Sequence, residues 1–330
     1  MAAGMFELRK DAVTGWWVAV VVDRGFDRER FARTAARVRD RGRCHNCEAP
    51  GEGVRVRSLK RNAFHVLGTE KEARDPERDA TQVSMGNLGE SGSWETVIAP
   101  RSHHGPLADE EPTVVVEMLA RVRERIAFAK RAGVTDYLQV VQNWGAQAGA
   151  LTNHLCFDLY DLPQIPHRVG EEMGGAARYV IREGECPYCA MVRDEVHDAE
   201  RLLFEDAASV AFAPYASRSP FEIWVVPRSH AADFGSASDD DLTSCAEMVR
   251  KALRLLGLLD TPPYNLVLHS APLRERVEGT YHWHWEIHPR LREIAGLELG
   301  TGLPVNPIAP EAAVAELLEA AQAPARRVGT

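Results

Sequence analysis

The chain has 330 residues, room for two domains with cores of their own. Hydrophobic residues make up 45% and charged residues 26%, the balance of an ordinary globular protein. A net charge of −9 with no basic run excludes a general nucleic-acid binder. No apolar stretch approaches the roughly 18 residues a membrane helix needs, and residues 1–10 carry no signal-peptide pattern. A cytoplasmic protein with no membrane or nucleic-acid partner is expected.

The predicted elements run as follows. Phe6–Val22 alternates like a strand hairpin turning at Val13–Gly15. The charged stretch Arg24–Gly42 reads as helix or surface loop, and Trp94–Pro100 as a strand stopped by proline. Glu111–Ala132 has helical periodicity through Val115, Met118, Leu119, Val122, Ile126 and Ala129. Tyr137–Val141 is a strand that runs into the Gly145–Gly149 loop. Residues 167–184, containing Gly170, Gly174 and Gly175, read as a linker. Leu202–Pro214 and Phe221–Pro227 are expected strands, Asp239–Leu258 an amphipathic helix with a charged start, and Tyr264–Leu268 and His282–Ile287 further strands. One more helix, Glu311–Ala321, precedes a tail expected to be disordered. Strands and a helix in one order, repeated, give an α+β class with antiparallel sheets and packed helices.

The repeat is also chemical. The first half carries Cys44-x-x-Cys47, Pro100-Arg-Ser-His103 and His154-Leu-Cys156. The second carries Cys186-x-x-Cys189, Pro227-Arg-Ser-His230 and His282-Trp-His284. From His103 to His154 is 51 residues, and from His230 to His282 is 52. Each half thus offers two thiolates and two imidazoles, a tetrahedral zinc set. The expected sets are Cys44, Cys47, His103 and His154, then Cys186, Cys189, His230 and His282, with two zinc ions per chain. His104 is an alternative to His103, although the repeat register favours His103. A fully ligated zinc orients a site and does not activate water. Around His282, steps of two residues put His284, Glu286 and His288 on one strand face. Catalysis or a catalytic metal could sit there, or the cluster could be structural.

Several further motifs resemble the galactose-1-phosphate uridylyltransferase family of the histidine-triad superfamily, in particular its zinc-containing sugar-nucleotide branch. They include Glu7-Leu-Arg-Lys-Asp11 with Thr14-Gly-Trp-Trp-Val18, Gln142-Asn-Trp-Gly145, and Ala148-Gly-Ala150. Ser219-Pro-Phe-Glu-Ile-Trp224, Tyr264-Asn-Leu-Val267, Tyr281-His-Trp-His-Trp-Glu286 and Ala295–Gly302 complete the match, which covers most of the chain. The resemblance implies two tandem histidine-triad-like domains, 1–166 and 185–330, and a homodimer. It implies a nucleotidyltransferase-like enzyme whose partner is a nucleotide sugar or phosphorylated small molecule. The family's His-Pro-His-Ser-Gln stretch keeps its zinc ligand as His154. Cys156 stands at the nucleophile's position, Asp158 at the glutamine's and Leu151 at an upstream serine's. Cys156 is then a nucleophile, an inert filler or an extra metal ligand. Asp158 is a general base, a contact for a substrate amine or a solvated strand residue, and His284 stands at the equivalent nucleophile position of the second half. Arg24, Asn62 and Asn143 fall where relatives contact nucleotide, and the loop from Gly145 to Gly149 lets backbone N–H groups approach phosphates. Gly300, Thr301, Gly302 and Asn306 resemble a sugar-side loop. The changed reacting positions leave two alternatives: a repurposed metalloenzyme of specialised biosynthesis, or a non-catalytic nucleotide or metabolite binder.

Overall fold

A computed structural model of the chain describes residues 6–22, 31, 35–38, 44, 46–47, 53–59, 94–100, 105–133 and 135–322. Arg24, Asn62, His103, His104, most of 24–42 and the end of the tail lie outside the described residues.

The class is α+β, as expected. The strands, in chain order, are β1 (Phe6–Lys10), β2 (Trp17–Val21), β3 (Arg55–Leu59), β4 (Trp94–Ile98), β5 (Tyr137–Trp144) and β6 (Cys156–Leu162). They continue with β7 (Leu202–Glu205), β8 (Ser209–Phe212), β9 (Ile223–Pro227), β10 (Tyr264–His269), β11 (His284–Pro289) and β12 (Val305–Asn306). The helices are α1 (Pro112–Ala132), α2 (His167–Glu183), α3 (Pro187–Asp198), α4 (Asp239–Gly257), α5 (Gly296–Thr301) and α6 (Pro310–Gln322).

Nine strands form one continuous sheet in the order β3-β4-β6-β5-β10-β11-β9-β8-β7, antiparallel throughout. The first half supplies β3 to β6 and the second β7 to β11. The seam is β5 against β10, where Val141 faces Val267 and Asn143 faces Asn265. A smaller sheet, β1-β2-β12, pairs the amino-terminal hairpin with a carboxy-terminal segment.

Period-2 alternation assigns the two faces of the large sheet. Leu155, Phe157 and Leu159 around β6, and Trp285 and Ile287 on β11, enter one core with Val140, Leu266 and Val225. Helices α1 and α4 bury their apolar stripes in the same core: Val115, Met118, Leu119, Val122 and Ile126 from α1, and Leu242, Met248, Val249 and Leu253 from α4. Helix α1 begins with Pro112, whose missing N–H costs nothing in a first turn, and ends at Gly133 in the left-handed region (φ 62°). Helix α4 begins at a capping box, Ser238 with Asp241. The residues between the core-facing positions, among them Cys156, Asp158, His284, Glu286 and His288, go to the opposite face.

Three elements depart from the sequence reading. Residues 167–184, read as a linker, fold as α2, because Val169, Glu172, Gly175 and Ala176 are buried on one side and tertiary packing outweighs the glycine penalty. Leu202–Pro214 is two strands around a turn in which Asp206 Oδ1 accepts from the Ala208 and Ser209 N–H groups. The Cys186-x-x-Cys189 box opens α3, with Pro187 in the first turn.

Candidate functional site

The register of the sheet lays one row of side chains across the face opposite α1 and α4. It reads Arg57, Thr96, Asp158, Val141, Val267, Glu286, Trp224 and Phe212, strand by strand. Asp158 and Glu286 occupy equivalent places on either side of the seam, so each half has a site position on the same face.

In the first half, Cys44, Cys47 and His154 bring their ligand atoms within 4.8 Å of one another. His154 Nδ1 is 3.3 Å from Cys47 Sγ and 3.9 Å from Cys44 Sγ, and its Nε2 is 2.7 Å from the Ala99 carbonyl. Such a bond fixes the tautomer and presents Nδ1 as the coordinating nitrogen. In the second half, Cys186, Cys189, His230 and His282 converge in the same way. Cys189 Sγ is 3.4 Å from His230 Nδ1 and 3.6 Å from His282 Nδ1, and His230 Nε2 is 2.6 Å from the Glu278 carbonyl. The hydrogen bond with Cys189 holds the Cys186 thiol down, to about 4. Two soft sulfur and two imidazole donors at this spacing suit a tetrahedral zinc ion.

Two residues beyond His154, strand alternation turns Cys156 and Asp158 onto the site face. Cys156 is buried against Asn46, and burial together with the Asp158 charge pushes its thiol well above the usual range. A thiol in that setting is a poor thiolate. Burial also raises Asp158, to about 6, against donors that lower it: Trp94 Nε1 and Thr96 Oγ1 each donate to Oδ1 at 3.1 Å. Trp94 stacks on Tyr160 with ring centroids 5.5 Å apart and forms an aromatic wall beside the carboxyl. Trp94 and Thr96 escaped the sequence reading. Only strand pairing (Thr96 opposite Asp158, Trp94 opposite Tyr160) brings them there.

The Gly145–Gly149 loop lies next to this site, and several of its N–H groups are used within the fold. Ala146 N donates to the Ala36 carbonyl, Ala148 N and Ala150 N to Gly145, and Gly149 N to Ala146. Gly145 (φ 84°) and Gly149 (φ 79°) make the turn possible. Asn143 adds a side-chain donor in that corner. Leu151 is half exposed.

The equivalent position in the second half is closed. His284 is fully buried, stacked between the rings of Trp224 (4.7 Å) and His269 (4.9 Å), and has no access for attack on a substrate. Glu286 accepts two bonds from Arg168 at 2.8 and 2.9 Å, one from Arg218 at 2.8 Å, and lies 3.1 Å from His269 Nε2 and 2.9 Å from His288 Nε2. Burial disfavours charge on His269, but Glu172 and Glu286 outweigh it and raise the imidazole to about 9. With two guanidiniums and a cationic imidazole around Glu286, the cluster that sequence periodicity grouped is a charge network and a poor cradle for a metal cation. His282 leaves that face and turns to the Cys186 set.

The sugar-side residues fall on β12 and at the end of α5. Asn306 is completely buried in β12, and its amide donates to the Ser217 and Ser219 carbonyls, so it straps the small sheet to the second half. Gly300, Thr301 and Gly302 form the exposed end of α5, where Thr301 Oγ1 donates to the Leu297 carbonyl.

No family model matches the chain. It is 29% identical over 245 residues to an ADP-glucose phosphorylase of Arabidopsis thaliana, a match covering 73% of this chain and 67% of that protein. To a galactose-1-phosphate uridylyltransferase of Thermotoga maritima it is 24% identical over 237 residues, 69% and 74% of the two chains. Among solved structures it superposes on the Arabidopsis ADP-glucose phosphorylase with bound ADP-glucose at a TM-score of 0.74 and 26% identity. On a uridylyltransferase the values are 0.72 and 27%, and both superpositions cover 96% of this chain and 99% of the other.

Proposed function

Because this chain belongs to the galactose-1-phosphate uridylyltransferase family, we propose that it is a nucleotidyltransferase-like enzyme that takes a nucleotide sugar onto the site face of its first half. The observation that carries this reading is the placement of Cys156 and Asp158 on that face, two and four residues beyond a metal-ligand histidine, beside Asn143 and the Trp94–Tyr160 wall. We read 1–166 and 185–330 as two copies of one unit. The first keeps the working position and the second keeps the scaffold.

Zinc at Cys44, Cys47, His154 and His103, and at Cys186, Cys189, His230 and His282, would hold the two loops and leave no open coordination position. Asn143 donates to a phosphate oxygen. Asp158, near neutrality, takes the proton from the attacking group. In the covalent route the Cys156 sulfur loses its proton to Asp158 and attacks the α-phosphorus. An S–P bond forms, the P–O bond to the sugar 1-phosphate breaks, and an acceptor phosphate then displaces the sulfur.

The raised thiol of Cys156 favours a second reading. In it Asp158 deprotonates a hydroxyl or phosphate acceptor, which attacks the α-phosphorus directly, and no enzyme adduct forms. The native mass of the purified protein, before and after exposure to ADP-glucose and UDP-glucose, tests both. Two zinc ions per chain and the subunit number are read from the starting mass, where a homodimer is expected. A nucleotidyl adduct lost in Cys156→Ala establishes the covalent route. Turnover that survives in Cys156→Ala and fails in Asp158→Asn establishes the direct one. Binding without turnover of any acceptor sinks both and leaves a metabolite-binding protein.

A further inference from the structure

The seam between the halves passes through the site. Asn143, the last polar residue of β5 before the glycine loop, belongs to the first half, and Asn265, on β10, belongs to the second. The two are paired in register. Asn265 Nδ2 lies 2.8 Å from the Ala148 carbonyl and 2.6 Å from Asn143 Oδ1.

An amide can be fitted either way round, but here the chemistry allows one assignment. The Ala148 carbonyl can only accept, so the edge of Asn265 that meets it is the NH2. The second proton of that NH2 needs an acceptor, which requires Asn143 to present Oδ1. The Asn143 NH2 then points away from the pair, and among the described residues it donates to nothing. The Ala148 carbonyl is itself set by the turn, in which Ala148 N and Ala150 N both donate to Gly145. The loop that spends several of its own N–H groups thus fixes, through Asn265, the direction of the nearest side-chain donor.

We propose that Asn265 is a positioning residue: it locks Asn143 so that its NH2 faces outward and donates to a phosphate oxygen of the bound nucleotide sugar. This deepens the reading of the first-half site and rests on it. Asn143 alone would be free to turn over and offer its carbonyl oxygen, which repels an anion. With Asn265 in place the flipped form leaves an N–H facing an N–H, so the binding-competent form dominates before substrate arrives.

Full-length protein tests this in two measurements. The first is solvent exchange of the side-chain amides by NMR with no ligand added. Both Asn265 NH2 protons are expected to exchange slowly and those of Asn143 fast. Slow exchange at Asn143 with fast exchange at Asn265 overturns the lock whatever the substrate proves to be. The second is calorimetric binding of ADP-glucose, UDP-glucose and adenosine. Asn265→Asp is nearly isosteric but cannot donate to Ala148, and its carboxylate draws the Asn143 NH2 inward. It should weaken whichever nucleotide sugar binds by about tenfold or more, the worth of a charge-assisted hydrogen bond. Adenosine affinity should be unchanged. Asn265→Ser keeps a short donor and serves as a second variant if the aspartate does not fold.

Asn143→Ala should weaken binding to a similar degree. The double variant Asn143→Ala with Asn265→Asp should be no weaker than Asn143→Ala alone. Additive losses, or unchanged nucleotide-sugar affinity in Asn265→Asp, overturn the proposal. If the unaltered protein binds no nucleotide sugar while the exchange pattern holds, the lock stands and the substrate reading falls.

Discussion

Asp158 decides the pH behaviour of the site. Its carboxyl is raised by burial to about 6 in the folded protein, above the ordinary aspartate value. A group whose folded pKa is raised binds its proton more tightly in the native state. Wild-type stability therefore falls as pH climbs from the unfolded value through about 6, and the charged form is the strained one. Asparagine at 158 carries no such cost. Asp158→Asn should match the wild type near pH 4 and exceed it near pH 8 by on the order of 2 kcal/mol, read from denaturant midpoints at the two pH values. A constant difference across that range would show that Asp158 is not the buried acid described here. Sequence pattern put Asp158 in the site, but its environment was not legible there. Trp94 and Thr96 stand more than 60 residues away, and strand pairing alone brings them to it.

At the scale of elements, α2 sets the surroundings of the second half's equivalent position. It crosses the site face there, delivers Arg168 to Glu286, and receives the amino-terminal turn on Gly175. A Cβ at Gly175 would sit 1.8 Å from the Val13 carbonyl oxygen, a backbone atom that cannot step aside. At Gly170, one and a half turns earlier, a Cβ meets nothing within 4 Å. The same substitution should therefore act in opposite directions on one helix. Gly170→Ala should stabilise by up to about 1 kcal/mol through helix propensity. Gly175→Ala should destabilise by about 1–3 kcal/mol, because overpacking outweighs that gain. Thermal melts of the two variants decide it, and equal shifts would mean the turn does not rest on α2. The sequence presents these residues as three glycines in a polar stretch, and composition alone reads that as a linker. Only the partner surface shows that one of the glycines is a contact.

For the molecule as a whole, the β5–β10 seam and the common core of α1 and α4 join the two repeats into one sheet with one interior. The repeats share the Asn143–Asn265 pair and the β2–β12 pairing. Domains that share a core unfold together. Calorimetry should give a single transition whose calorimetric and van't Hoff enthalpies agree. Two separated transitions would show that the halves are independent units.

The sequence by itself determined the residues whose information is local or periodic. The Cys-x-x-Cys boxes with their histidines at matched spacing gave two candidate metal-ligand sets, of which the described residues bring together Cys44, Cys47 and His154, and Cys186, Cys189, His230 and His282. The 3.6-residue periodicity of α1 and α4 and the two-residue steps of His284, Glu286 and His288 gave those elements and the face those side chains take. These follow from backbone geometry, which repeats the same way in any chain. Tertiary structure alone decided how the two equivalent positions are surrounded. Cys156 and His284 are matched in sequence, yet one adjoins an aromatic wall and a poised carboxyl while the other is clamped between rings under α2. It also decided that Glu286 is filled by guanidiniums, that Asn306 is a strap, and that the glycine loop uses several of its donors within the fold. Each of these depends on partners far away in the chain, and no local pattern encodes where those partners come to rest.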